Sequence, residues 1–382
     1  MIKTISAVTR EIDDPQAAAA EIVAAISPDR NLMKNSLGII SCFSEFEDTG
    51  ALKAVCDALP FECVGATTCM SASVGEIDQV ILAVTVLTSD DCEFKTAELA
   101  IAEDYAAVIG EGIAALMGGG EKKPAAFMSY FPMLNIISGD MVLEEIDRAS
   151  GGIPLFGMVC TDHSVDYSGS RTIHNGKALS RSVVMAAIFG APQITYSVAS
   201  ADKSRIRSQK AVITASSGNI LQAVNGKTVL DYLSEIGLGK DELSAGVGAV
   251  PFFIYHRSGT EPVARVVYSL TPEGYAICGG AMPENAVLGI GHIDMNDVLT
   301  TTRQTLGETP AEGGCVLCYS CIGRYMVLGA NNTAEAERYV GAVGNAPGIF
   351  AYSSSEICPL PDSNGRLRNF FHNYTAVVCR IK

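Results

Sequence analysis

Apolar stretches of strand length alternate with helical segments along this chain, and the combination recurs three times. The first copy has an apolar strand over 38–44 ending in small polar residues, a helical segment, and further strands over 63–68 and 80–87. The second places strands at 126–131, 154–159 and 183–189, and the third at 316–321, 348–353 and 374–379. The pattern predicts one β-α-β-β unit written three times. In open α/β sheets ligands sit beyond the carboxyl ends of the strands, so the polar strand ends of such units are the first place to look for a site.

Local signals sharpen the helices. Asp14-Pro15 caps a helix over 17–26, and a second helix over 104–117 stops at Gly118-Gly119-Gly120, where backbone freedom ends the ladder. Asn332 is placed to cap a helix over 333–343, with Glu335 reaching back. Between the second and third units lies a stretch of different texture: a strand over 210–214, a turn at 216–219, a helix over 226–236 and alternating strands over 251–255, 264–270 and 275–278, then a helix over 294–306. Lys203, Arg205, Arg207 and Lys210 form an exposed basic stretch, which sets the expected domain boundary near residue 208. The expected fold is α/β, mixed α+β in the insert, in two domains: 1–208 with two repeat units, and 209–382 with the insert and the third.

Composition narrows the function. At 382 residues with 48% hydrophobic and only 18% charged, the chain can bury a sizeable interior, and its apolar surface is compatible with a homo-oligomer. A net charge of −15 with no basic stripe argues against nucleic acid. No apolar run reaches the length of a membrane span, and the N-terminus lacks a signal-peptide core, so a cytoplasmic location is expected with no membrane partner. Twelve scattered cysteines then read as small hydrophobes kept reduced. Trp is absent, which removes indole cages.

Cys315, Cys318 and Cys321 form C-x-x-C-x-x-C, but strand alternation puts the first two on opposite faces and no fourth ligand is near, so no metal is expected. Cys321 sits where its strand ends, three residues before Arg324, and could serve as a nucleophile with His372 or Glu356 as base. Ser353-Ser354-Ser355-Glu356 ends the next strand, and its counterparts are Cys160-Thr161-Asp162-His163 and Thr67-Thr68-Cys69. Hydroxyls with one carboxylate suit a small polar ligand carrying an amine, and Arg324 suits its carboxylate; the same hydroxyls could equally cap the following turn. Gly289-Ile290-Gly291 lacks the third glycine of a dinucleotide loop and no P-loop occurs, so no nucleotide cofactor is expected.

The C-terminal block, Tyr319-Ser320-Cys321-Ile322-Gly323-Arg324, Ser355-Glu356-Ile357 and Phe371-His372-Asn373-Tyr374-Thr375, resembles the FIST family of F-box and intracellular signal transduction proteins. Val64-Gly65-Ala66-Thr67-Thr68 with Gly75-Glu76-Ile77, Leu155-Phe156-Gly157 leading to Asp162, and Asn225-Gly226-Lys227-Thr228 are similar to its earlier motifs. Ser355 stands where the family usually has glycine, and Ala66 where it often has cysteine. The resemblance implies paired FIST domains acting as a cytoplasmic sensory module for signal transduction, with an amino-acid-like ligand. It places Ser320, Cys321, Arg324, Ser355, Glu356, His372 and Asn373 around that ligand, with no cofactor. Such modules are often joined to output domains; none follows before Lys382, so a separate signalling output protein is expected. The alternatives are a cysteine-dependent enzyme using Cys321 and His372, and a ligand-free interaction scaffold.

Overall fold

The computed structural model describes residues 1–118, 122–133, 138–164, 166–201, 203–238, 250–256, 261–310, 313–362 and 364–382, with the backbone only at 203 and 207–210. The first unit comprises β1 (Lys3–Thr9), β2 (Asn35–Cys42), β3 (Glu62–Thr67), a hairpin of β4 (Ser71–Ser73) and β5 (Glu76–Asp78), and β6 (Leu82–Ser89). The second repeats this as β7 (Glu93–Ala100), β8 (Ala126–Phe131), β9 (Leu155–Val159), the hairpin β10 (Thr172–His174) and β11 (Lys177–Leu179), and β12 (Ser182–Phe189).

The third opens with β13 (Ile194–Ala199). It is then interrupted by an insert of β14 (Ile206–Ser217), β15 (Ile220–Val224), β16 (Lys227–Thr228), β17 (Phe252–Tyr255), β18 (Val263–Arg265), β19 (Val267–Leu270), β20 (Ala276–Cys278) and β21 (Val287–Gly291). It resumes as β22 (Cys315–Cys321), β23 (Gly348–Ser353), the hairpin β24 (Glu356–Pro361) and β25 (Leu367–His372), and β26 (Ala376–Ile381). Residue 208, where two domains were expected to divide, lies within β14.

Three sheets have one plan: β1-β6-β2-β3, β7-β12-β8-β9 and β13-β26-β22-β23, each antiparallel, antiparallel and then parallel. The threefold repeat read from the sequence is therefore real in order and direction. The hairpins were not legible: each leaves its own unit and completes another unit's sheet. β4–β5 joins β23, β10–β11 joins β3, and β24–β25 joins β9. The insert forms an eight-stranded sheet of its own.

Alternation along the strands explains the layers. On β8, Met128 and Tyr130 enter a central core shared by all three sheets, while Phe127 and Phe131 face outward beneath the helices Tyr105–Met117 and Gly139–Ser150. On β22, Cys315, Leu317 and Tyr319 face the centre, and Val316 and Cys318 face the outer layer. Strands buried on both faces have no polar side to show, which is why they read as continuous apolar runs. The helix Pro15–Ile26, capped by Asp14 as expected, covers the first sheet with Ala18, Ala19, Ile22 and Ile26.

Several expectations need correction. Asn332 caps nothing; Thr333 occupies the N-cap of the helix Ala334–Val343, and Asn332 donates to the Tyr325 hydroxyl. Glu335 turns inward instead of back to the cap. Gly118 is a left-handed C-cap, while Gly119 and Gly120 lie outside the described residues. Gly289 and Gly291 belong to β21, where Ile206 and Phe253 occupy the room a side chain would need. The opening strands β1, β7 and β13 went unread because they are half-exposed edges; β7 intersperses Glu93, Lys95, Thr96 and Glu98 among its apolar residues.

The parallel pairs leave no space at two matching glycines. A Cβ on Gly157 would lie 1.7 Å from the Ser129 carbonyl oxygen, and one on Gly65 2.0 Å from that of Ile40. Both obstacles are backbone and cannot swing aside. Gly157→Ala is expected to lose about 2 kcal/mol or more of stability, seen as a lower urea midpoint at unchanged slope.

Candidate functional site

The exchanged hairpins draw the carboxyl ends of β3, β9 and β23 into a ring of hydrogen bonds. Thr161 N donates to Thr67 O (3.1 Å) and Thr67 Oγ1 to Thr161 O (2.9 Å), joining the first and second units. Ser354 N donates to Val159 O (3.1 Å) and Val159 N to Ser355 O (2.8 Å), joining the second and third. Tyr352 N donates to Met70 O (3.3 Å) and Thr68 Oγ1 to Tyr352 O (2.7 Å), closing the circle. The hydroxyls that looked like ligand donors therefore spend much of their capacity holding three strand ends together.

Two carboxyl groups in the ring are incompletely satisfied. Glu356 is fully buried; its Oε1 accepts from Ser353 Oγ (2.5 Å), and its Oε2 has no hydrogen-bond partner. Burial holds its carboxyl well above the ordinary range. Asp162 gives Oδ1 to Ser164 N and Oγ, while its buried Oδ2 is also without a partner. Tyr167, in the left-handed region at φ 54°, feels both Asp162 and Cys321, and Tyr268 of the insert feels Cys321 and Glu356.

Beside the ring lies a cavity of about 90 Å³ whose lining includes Ser354, Ser355, Val159, Tyr268 and Phe371. The insert is brought there by buried polar contacts. Asn373 donates to Ser355 Oγ (2.8 Å) and accepts from Val266 N (3.2 Å). Arg265, buried, donates to Phe371 O (2.7 Å) and pairs with Asp140 (3.0 Å), whose other oxygen accepts from Ala281 N. Gly279 and Gly280 permit this approach, since a Cβ would strike Val266 at one and Asp140 at the other. Tyr268, Arg265 and Asp140 were missed by sequence reading; the adjacent glycines were the signal to follow.

The predicted site residues divide among different places. Ser355 lines the cavity, with Asn373 bonded behind it. Cys321 and Glu356 both raise the Tyr268 hydroxyl electrostatically. His372 does pair with Glu356 across an antiparallel ladder, as reaching the same sheet end requires, yet it lines a separate cleft and its Nε2 meets Cys358 O at 3.0 Å. Arg324 does not face Glu356 across a pocket. It is wholly buried and pairs with Glu335 (2.8 Å), and its remaining N–H groups go to Ser320, Thr301, Thr302 and the carbonyls of Val298, Ser200 and Tyr374. Ser320 also donates to Glu335, so it belongs to this internal network. A guanidinium with every donor engaged cannot take a ligand carboxylate.

The nucleophile reading loses its geometry too. Cys321 Sγ faces Ser354 O at 3.9 Å, not His372, and burial together with Glu356 pushes its thiol up, away from thiolate. Cys315 and Cys318 enter different cores, as alternation required. Among the described residues no cluster of three or more His, Cys, Asp or Glu is arranged to hold a metal.

Two outcomes follow from the buried charges. Arg324→Met is expected to cost about 3–5 kcal/mol in chemical denaturation, because it strands Glu335 without its counter-ion, and adding Glu335→Leu should recover part of the loss. Burial lowers His372 to about 4, so the folded state stays neutral while the unfolded chain takes up a proton below its ordinary value of about 6.5. Its contribution is present at neutral pH and lost as pH falls from about 6.5 to 4. His372→Phe should therefore flatten that part of the stability–pH curve by about 3 kcal/mol, read from urea midpoints.

No curated protein sequence matches the chain. Two solved structures of cyanuric acid hydrolase, one of them from A. caulinodans, align over all of the chain and 99% of their own, at 10% and 8% identity with TM-scores of 0.39 and 0.38. Likeness at that level carries no argument about this protein's chemistry. No helix among the described residues is long and apolar enough to cross a membrane. The FIST N domain matches residues 36–227 and the FIST C domain residues 228–359, so that together they take in the strand-end ring and the whole insert. The chain belongs to the FIST family of signal-transduction sensory domains.

Proposed function

We propose that this protein senses a small polar molecule of amino-acid size, bound beside the strand-end ring under Tyr268. The observation that carries the reading is the cavity that Ser354 and Ser355 line, together with the next residue along, Glu356, whose buried Oε2 has no hydrogen-bond partner. A buried polar atom left unsatisfied costs free energy that a ligand can return. The volume of about 90 Å³ holds roughly six to nine water-sized atoms, which is the size of a small amino acid. The Ser354 and Ser355 hydroxyls that line the cavity can each donate or accept, so the ligand needs both an acceptor and an N–H or O–H group.

Arg324 has no place in this site, and the ligand's own carboxylate would meet neutral donors. The insert's strands β19 and β20 cover the site from outside, so occupancy would reach a separate output protein through their position.

A thermal-shift screen of the twenty amino acids and their amides against the full chain tests the proposal. A true ligand should stabilise by about 2.7 kcal/mol at a hundredfold excess over Kd. In calorimetric titration Ser355→Val should weaken it about tenfold or more, while Tyr105→Phe, far from the ring on an outer helix, should leave it unchanged. If nothing in the panel stabilises the wild type, or if Ser355→Val binds the hit as tightly, the reading fails.

A further inference from the structure

The three units hand over to their hairpins in unequal ways. β3 ends at Thr67 and β4 begins at Ser71, and β23 ends at Ser353 and β24 begins at Glu356, but β9 ends at Val159 and β10 begins only at Thr172. The hairpins nonetheless join at matching places. Ser71, Thr172 and Glu356 pair with Ala351, Ala66 and Met158, which stand just before the ring residues Tyr352, Thr67 and Val159. The second unit therefore carries an extra loop, and both of its ends are tied to Thr67. Thr67 Oγ1 donates to Thr161 O (2.9 Å) and accepts from Arg171 N (2.8 Å), and Thr67 N donates to Arg171 O (2.9 Å).

Polar residues fall on alternate positions of this loop: Asp162, Ser164, Asp166, Ser168 and Ser170. Counted from Asp162 they are the first, third, fifth, seventh and ninth, the spacing by which calcium loops supply oxygens, and such loops turn sharply at the sixth. The sixth is Tyr167, at φ 54°, a left-handed conformation that a residue with a Cβ adopts at a cost. Hydrogen bonds draw the set together. Asp162 Oδ1 accepts from Ser164 N (2.8 Å) and Oγ (2.7 Å), Ser164 Oγ from Ser168 N (3.1 Å), and Asp166 Oδ1 from Ser168 N (3.2 Å).

Two oxygens are left out of these bonds. Asp162 is 2% exposed and Ser170 4%, and among the described residues neither Asp162 Oδ2 nor Ser170 Oγ has a partner. Both lie at Gly169: Ser170 follows it in the chain, and a Cβ on Gly169 would stand 2.5 Å from Asp162 Oδ2. A buried carboxylate oxygen without a donor is costly, and the two do not bond each other. A cation would serve both.

We propose that this loop binds a calcium ion through Asp162 Oδ2, Ser170 Oγ and the Asp166 carboxylate, with Ser164 Oγ and water completing the shell. Departures from the usual loop set its strength. The seventh-position carbonyl, Ser168 O, is taken by Arg171 Nη1 (2.8 Å), and Ile173 stands at the twelfth, where a glutamate would close the shell. The Arg171 charge is met by Glu47 at 3.7 Å. Two carboxylates, with hydroxyls for the rest, put Kd at about 10⁻⁴–10⁻³ M. No residue of the loop lines the cavity under Tyr268, so this site does not rest on the ligand reading.

Terbium, which takes calcium's oxygen ligands and emits when excited through a nearby tyrosine, reads the site through Tyr167. The full chain, stripped with chelator and held at about 0.15 M ionic strength to screen its surface charge, should give saturable tyrosine-excited emission that calcium displaces. Asp162→Asn should lose the emission, and Ser170→Ala should weaken calcium about tenfold. Asp29→Asn, on the helix Pro28–Asn31, should change nothing. Magnesium, which demands a tighter octahedron, should displace terbium about tenfold less well than calcium. The proposal is overturned if no saturable emission appears, if calcium fails to displace it or magnesium does so equally, if folded Asp162→Asn retains it, or if Asp29→Asn loses it as well. Should Asp162→Asn fail to fold by circular dichroism, an unchanged calcium affinity in Ser170→Ala overturns it alone.

Discussion

Everything in this molecule hangs on three strand ends that must hydrogen-bond to one another in a circle. Once each hairpin has left to complete another sheet, no unit satisfies its own edge, and each sheet is completed by a hairpin from another unit. The exchange buries backbone donors and acceptors that an isolated sheet edge would leave to water or to other chains. It also concentrates Thr67, Thr68, Thr161, Ser354 and Ser355 in one buried ring. The polarity of the candidate site is thus a consequence of how the fold closes.

Buried charge is handled in two ways around that ring. Where charge is fully compensated, it is structural: Arg324 with Glu335 and their threonines ties the helices Met295–Glu308 and Ala334–Val343 to β22, and Arg265 with Asp140 ties the insert to the second unit. Pairs of this sort add little net stability over apolar packing, but losing either partner is costly, so they fix position. Where compensation is incomplete, at Glu356 Oε2 and Asp162 Oδ2, a buried carboxylate oxygen is left without a hydrogen-bond partner. The distinction separates residues that looked alike as a sequence motif.

The pattern of hydrophobic positions by itself determined the repeat, the central strands of each unit, most helices and the mixed α/β class. These follow from alternation and helical period, which are local properties of the chain. It also placed Cys315 and Cys318 on opposite faces and singled out the polar ends at Thr67, Asp162 and Glu356. The hairpin turn at Asn175-Gly176, with both residues at positive φ, was equally local and went unread.

What only the tertiary structure decided is which partner each element finds. Nothing near β24 says that it pairs with β9, nearly two hundred residues earlier, since its own neighbours in sequence would serve its backbone as well. Arg324 and Glu335 each had a plausible local role, one as a ligand clamp and one as a cap; helix packing brought them face to face and withdrew both. The same holds for Ser200 and His372, which share a cleft because two sheets meet there. Local rules fix what a segment can be, because they depend on a few adjacent torsions and side chains. Long-range pairing is a competition among many such segments, and only the folded whole settles it.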